Sequence, residues 1–137
     1  MELSAAVINR HSIRGFLPRP VDQQVLREIL RLGVRAVSAR NIQPWEFSVV
    51  TGEVLERIRE DNMDCFVRGL PGRDEYGPLE GVFRKRRIVI AKQLFSAMEI
   101  ARDDKQGRRE WLMRGYRFFD APAAVIISMD ASLDEKI

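Results

Sequence analysis

Arg10, His11, Ser12, Ile13 and Arg14 place two guanidiniums, a hydroxyl and an imidazole within five consecutive residues. In extended backbone alternate residues share a face, so Arg10, Ser12 and Arg14 point the same way. Forked guanidinium donors and a hydroxyl converging on one point suit a phosphate dianion. Surface arginines paired with carboxylates, beside a serine that caps a turn, would show the same spacing, so these residues alone leave both readings open. His11 invites a general-base role. No Ser, Cys or carboxylate stands at motif spacing from it, which favours a packed or hydrogen-bonded ring.

A second stretch runs Ser38-Ala39-Arg40-Asn41-Ile42-Gln43-Pro44-Trp45. Small residues at 38 and 39 leave room for a flat ring to approach the backbone, and Ser38 adds a hydroxyl. Asn41 and Gln43 carry donors and acceptors that match the polar edge of a heterocycle. Pro44 fixes the turn, and Trp45 is placed to anchor in the core. An ordinary helix-to-strand connection explains the turn but not all these residue types together. A phosphate grip, a helix and a flat polar elbow suggest a mononucleotide ligand. Cys65, the single cysteine, has no CxxC partner and reads as an incidental thiol.

The elements that must position these stretches follow from pattern. Glu2 to Asn9 is predicted as a short helix, and Pro18 and Pro20 keep residues 10–20 extended. Asp22 is a good N-cap, and Val21 can staple onto Leu26. Val25, Leu26, Ile29, Leu30, Gly33 and Val34 recur at helical spacing, which predicts a helix ending near Val37. A strand over Phe47–Thr51 is closed by Gly52. Glu53 to Asn62 forms a second amphipathic helix, and the Gly/Pro-rich residues 63–81 a loop. Helices are expected over Phe83–Ala101 and Asp103–Arg114, the latter with Trp111 inward. Pro122 then precedes an apolar strand, Ala123–Met129, of the kind buried on both faces. Two strands about seventy residues apart do not make an independently stable sheet, so other strands must come from elsewhere. With a tail that stops at Ile137, residues 1–137 are expected to be a single domain, incomplete at its C-terminal side.

Composition sets outer limits. The chain has 137 residues and is 45% hydrophobic, which fits one domain with little core to spare. No apolar run is long enough to span a bilayer, and no signal-peptide pattern opens the sequence. One cysteine excludes an intrachain disulfide framework and suggests a cytoplasmic setting; one cysteine and one histidine give no basis for a metal site. Net charge is +3, from 23 basic and 20 acidic residues. The run Arg84-Lys85-Arg86-Arg87 lacks interleaved aromatics and reads as a solvated helix face rather than a nucleic-acid patch.

Taken together, these stretches resemble the FMN-dependent nitroreductase family. The matching residues are Arg10, His11, Ser12, Arg14 and Phe16, then Ser38, Asn41, Gln43, Pro44, Trp45 and Phe47. Tyr116-Arg117-Phe118-Phe119-Asp120-Ala121-Pro122 before an apolar strand is similar to the family's Phe-Phe-x-Ala-Pro signature, and Leu94–Asp104 is similar to longer members. Order and spacing agree across essentially the whole chain. The resemblance implies an α+β, nitroreductase-like fold with helices on a mixed, mostly antiparallel sheet. It implies a homodimeric flavoprotein whose FMN passes electrons from NAD(P)H to nitroaromatics, quinones or similar small molecules. No protein nucleophile is then required, so no catalytic side chain is named.

By the same resemblance Arg10, Ser12 and Arg14 would hold the phosphate and ribityl end of FMN, with His11 contributing through its backbone or ring. Val37, Ser38, Ala39 and Asn41 would lie along the isoalloxazine, usually that of the opposite protomer. Arg114 or Arg117 would sit near the pyrimidine edge, where a cation favours the anionic reduced ring. Val37 stands where a proline is common, and Arg114 where an amide often is. Rival expectations are a sister flavin chemistry, such as reductive dehalogenation or oxygen-dependent flavin fragmentation, a flavin-free dimerisation or ligand-binding module, and a basic nucleic-acid binder. The last would show a steep salt dependence.

Overall fold

Asp22 opens the helix that carries the chain from one candidate stretch to the other. Its Oδ1 accepts from the Gln24 backbone N–H at 2.6 Å, which satisfies one of the donors a helix N-terminus leaves open. The computed structural model describes residues 2–70 and 79–133. The chain divides into two compact units, Met1–Ile58 with Phe119–Ile137, and Arg59–Phe118.

The first unit holds α1 (Leu3–Asn9), α2 (Gln23–Gly33), a short 3-10 turn at Ala39–Asn41, β1 (Glu46–Thr51) and β2 (Ala123–Ser128). The strands pair antiparallel, from Glu46 opposite Ser128 to Thr51 opposite Ala123. Helix α3 (Gly52–Val67) starts in the first unit and ends in the second, which also holds α4 (Gly81–Ala97) and α5 (Lys105–Tyr116). After β2, Ser132 donates its backbone N–H to Asp130 Oδ1 at 2.8 Å. Hydrogen bonds from the Ser132 side chain and backbone hold the Asp130 carboxyl below its ordinary value.

Several boundaries differ from those predicted. Helix α2 ends at Gly33 rather than near Val37, because Arg35 and Ala36 donate to the carbonyls three residues back, Leu32 and Gly33, each at 3.0 Å. Glycine and β-branched Val34 and Val37 are poor helix residues, so the end tightens and unwinds there. Helix α3 runs to Val67, five residues past Asn62, because half-buried Met63 and Phe66 continue its apolar stripe. Leu70 N–H then bonds the Cys65 carbonyl at 3.0 Å and Gly69 N–H bonds Phe66 at 3.2 Å, with Gly69 at φ +64°. That double closure is a Schellman end with glycine at its left-handed position. Of the predicted loop, residues 71–78 lie outside the described residues.

The strand expected to be buried on both faces is not. Val125, Ile126 and Ile127 are exposed, Ile127 by 65%, because a two-stranded sheet offers them no covering layer in this chain. Among the described residues Leu55, 1% exposed, is the one large apolar side chain fully buried. The α2 stripe is likewise open. Val25, Leu26 and Ile29 line a groove of about 720 Å³ with Phe16, Leu17 and Ala121. Trp45 and Trp111 are each half-buried rather than core anchors.

The second unit is tied by polar groups. Arg59 is only 8% exposed and donates its Nε to the Arg117 carbonyl at 3.0 Å. Asn62 Nδ2 donates to the neighbouring Tyr116 carbonyl at 3.1 Å. The Phe66 and Tyr116 rings lie 4.7 Å apart, and the Arg109 guanidinium sits 4.7 Å from the Phe66 centroid. The last turns of α3 are thus fastened to the end of α5.

Candidate functional site

Helix α1 ends where Arg10 turns to extended geometry, at φ −67° and ψ 119°. The segment that follows has no helix or strand, and Arg10, His11, Ser12 and Arg14 are all exposed. Among the described residues no carboxylate pairs with Arg10, so the surface-ion-pair reading does not describe it. Arg14 lies over the Phe119 ring, its guanidinium carbon 5.8 Å from the centroid. This contact brings the Arg-x-Ser-x-Arg stretch beside the Phe-Phe-x-Ala-Pro stretch that leads into β2. Phe118, Phe119 and Asp120 all take positive φ, 54°, 53° and 58°. Such backbone costs a non-glycine residue on the order of 1 kcal/mol each and persists only where surroundings impose it.

The elbow is built by Gln43. Its backbone N–H donates to Ser38 Oγ at 3.0 Å, and its side-chain Nε2 donates to Asn41 Oδ1 at 3.1 Å. Asn41 N–H closes the turn onto the Ser38 carbonyl at 3.0 Å. Arg40, Asn41 and Gln43 hold positive φ of 52°, 56° and 48°. Asparagine is suited to that conformation, but nothing in the sequence marks Arg40 or Gln43 for it. Gln43, expected from the sequence to match the polar edge of a heterocycle, is in the structure the clamp of the elbow. With their oxygens accepting from Gln43, Ser38 retains its O–H and Asn41 its amide N–H groups as donors. Val37, 97% exposed, and Ala39 flank them.

The two stretches adjoin opposite ends of the strand pair. Phe119, and Arg14 with it, lies where β2 begins, at the Thr51–Ala123 end of the strand pair. The elbow leads into Glu46, opposite Ser128, at the other end. Five strand steps, about 17 Å, separate the two ends. Arg114 and Arg117 belong to the second unit and are half-buried. Arg114 stacks 5.2 Å from the Trp111 centroid, and Arg117 closes α5 with its N–H on Met113 O at 3.2 Å.

The donor set fits an acceptor-rich ligand. Guanidiniums and a hydroxyl on one stretch, and a hydroxyl and an amide on the other, present N–H and O–H groups with few competing carboxylates.

A helical α+β chain with a small antiparallel sheet and these two stretches defines a narrow class. The chain belongs to the nitroreductase family, whose sequence profile (Nitroreductase family) matches residues 7–136. It is 36% identical over 132 residues to chloronitrobenzene nitroreductase of Comamonas testosteroni, covering 92% of this chain and 58% of that protein. Identity to nitrobenzene nitroreductase of Ectopseudomonas oleovorans is also 36%, with the same coverages. In structure it is similar to the FMN- and NADPH-dependent nitroreductase NfnB of Sphigopyxis sp. strain HMH, at a TM-score of 0.89 and 34% identity. That likeness covers 96% of this chain and 61% of that one. The chain spans 58% of the length of the two curated relatives.

Proposed function

We propose that this chain serves an FMN-dependent oxidoreductase that passes electrons from NAD(P)H to nitroaromatics, quinones or similar small acceptors. The observation that carries the reading is the exposed Arg10-His11-Ser12-Ile13-Arg14 segment beside Phe119, in a chain 34% identical to an FMN- and NADPH-dependent nitroreductase. Arg10, Ser12 and Arg14 would bind the FMN phosphate through charge-assisted hydrogen bonds, with His11 beside them. Ser38 and Asn41 would donate to acceptors of the ring, while Val37 and Ala39 keep the approach flat. Arg114 or Arg117 would supply positive charge near the ring's polar edge. Bound FMN supplies the hydride and electron chemistry, and the protein orients it.

The separation of the two stretches favours a homodimer. In a two-fold pair the elbow of one protomer can face the phosphate segment of its partner. Exposed apolar residues on α1, α2 and β2, among them Leu3, Ile29 and Ile127, are consistent with a partner covering them. The cytoplasmic setting inferred from the single cysteine is part of the same reading.

The test is consumption of NADH or NADPH by FMN-supplemented protein, with and without nitrobenzene. Acceptor-dependent oxidation is expected. Oxidation no faster than with free FMN would overturn the reading.

A further inference from the structure

Helix α4 ends as α3 does, with one difference. Ile100 N–H bonds the Phe95 carbonyl at 2.9 Å and Glu99 N–H bonds Ser96 at 3.1 Å. The left-handed position is held by Glu99, φ +55°, where glycine carries no such strain. The closure brings Ile100 back toward Phe95, and with Ile88 and Ala91 they line a groove of about 670 Å³ wholly inside the second unit.

Arg108 of α5 also lines this groove. Its guanidinium carbon sits 4.3 Å from the Phe95 centroid, and its Nε donates to the Ala101 carbonyl at 3.2 Å. Arg108 is half-buried, and among the described residues no carboxylate pairs with it. Lys92 and Arg102 bring two further cations to the lining, against the single carboxylate of Glu99. An apolar floor with a fixed guanidinium and excess positive charge matches a planar apolar body bearing one negative charge. An inorganic anion would leave the floor unused, and a neutral ring would leave the cations unmatched. Glu99 disfavours a second negative charge.

We propose that this groove binds a small aromatic monocarboxylate, its ring on Phe95 and Ile100 and its carboxylate on Arg108, with Lys92 and Arg102 at the rim. The proposal does not rest on the flavin reading, since no residue placed toward FMN lines the groove.

Calorimetric titration of the full chain with benzoate, benzamide and inorganic phosphate tests it. Benzoate is expected to bind at least about tenfold more tightly than either control, the loss of one charge-assisted contact. Arg108→Met should weaken benzoate about tenfold, and Lys92→Met, a change at an exposed helix position that does not threaten folding, by a smaller factor. Glu99→Gly should tighten it, and Arg10→Ala with Arg14→Ala should leave it unchanged. No benzoate binding, equal affinity for benzamide or phosphate, or loss on the Arg10/Arg14 change but not on Lys92→Met or Arg108→Met, would each overturn the assignment.

Discussion

Arg59 and Arg10 show two opposite uses of one side chain. Arg59 is 8% exposed, with its Nε on the Arg117 carbonyl inside the second unit. Arg10 stands in water on an extended segment, with no carboxylate paired to it among the described residues. A guanidinium engaged with main-chain carbonyls satisfies groups the fold would otherwise bury unpaired. One held out on a short, exposed segment keeps its forked donors for an anion. The contrast separates residues whose removal should change stability from those whose removal should change binding.

The largest effect should come from Arg10→Ala with Arg14→Ala. FMN affinity should fall by about a hundredfold or more, two charge-assisted contacts being lost; Arg10→Ala alone should leave the melting temperature nearly unchanged, whereas Arg14 is also held over Phe119. Fluorescence titration and thermal melts of the same samples would show it. Arg59→Ala should do the reverse, costing about 2 kcal/mol in denaturant unfolding. Equal stability loss in Arg10→Ala and Arg59→Ala would erase the distinction. The caps give a smaller effect: Asp22→Ala should cost about 1 kcal/mol through the lost bond to Gln24 N–H.

The two Schellman ends sharpen the comparison at the lowest amplitude. Gly69→Ala should destabilise by about 1 kcal/mol, because a Cβ is strained at positive φ. Glu99→Gly should stabilise by about 0.5 kcal/mol, the relief of strain being partly offset by a looser unfolded chain. A destabilising Glu99→Gly would mean that its side chain supports the fold.

Much of this was legible from residues alone. The Asp22 cap, the start of α2, both strands to within a residue and the turn at Ser38–Asn41 follow from capping chemistry, β-branched runs and small polar residues. The end of α3 is not legible, because Gly69, Pro71 and Gly72 signal a loop more strongly than the apolar spacing of Met63 and Phe66, which decides the helix. The open faces of β2 are not legible either, because an apolar run reports what a strand can bury, not what covers it. Within the candidate stretches residue types were readable. The Gln43 clamp and the positive φ at Arg40 and Gln43 were not, since local propensity opposes them and only closure of the turn imposes them.

The most direct test is the visible absorbance spectrum of the protein after equilibration with FMN and desalting, run beside the Arg10→Ala/Arg14→Ala variant. Flavin bands retained by the parent chain and lost by the variant are the expected result. A colourless parent, or a variant that keeps the bands equally well, would contradict the assignment of this segment to the flavin phosphate.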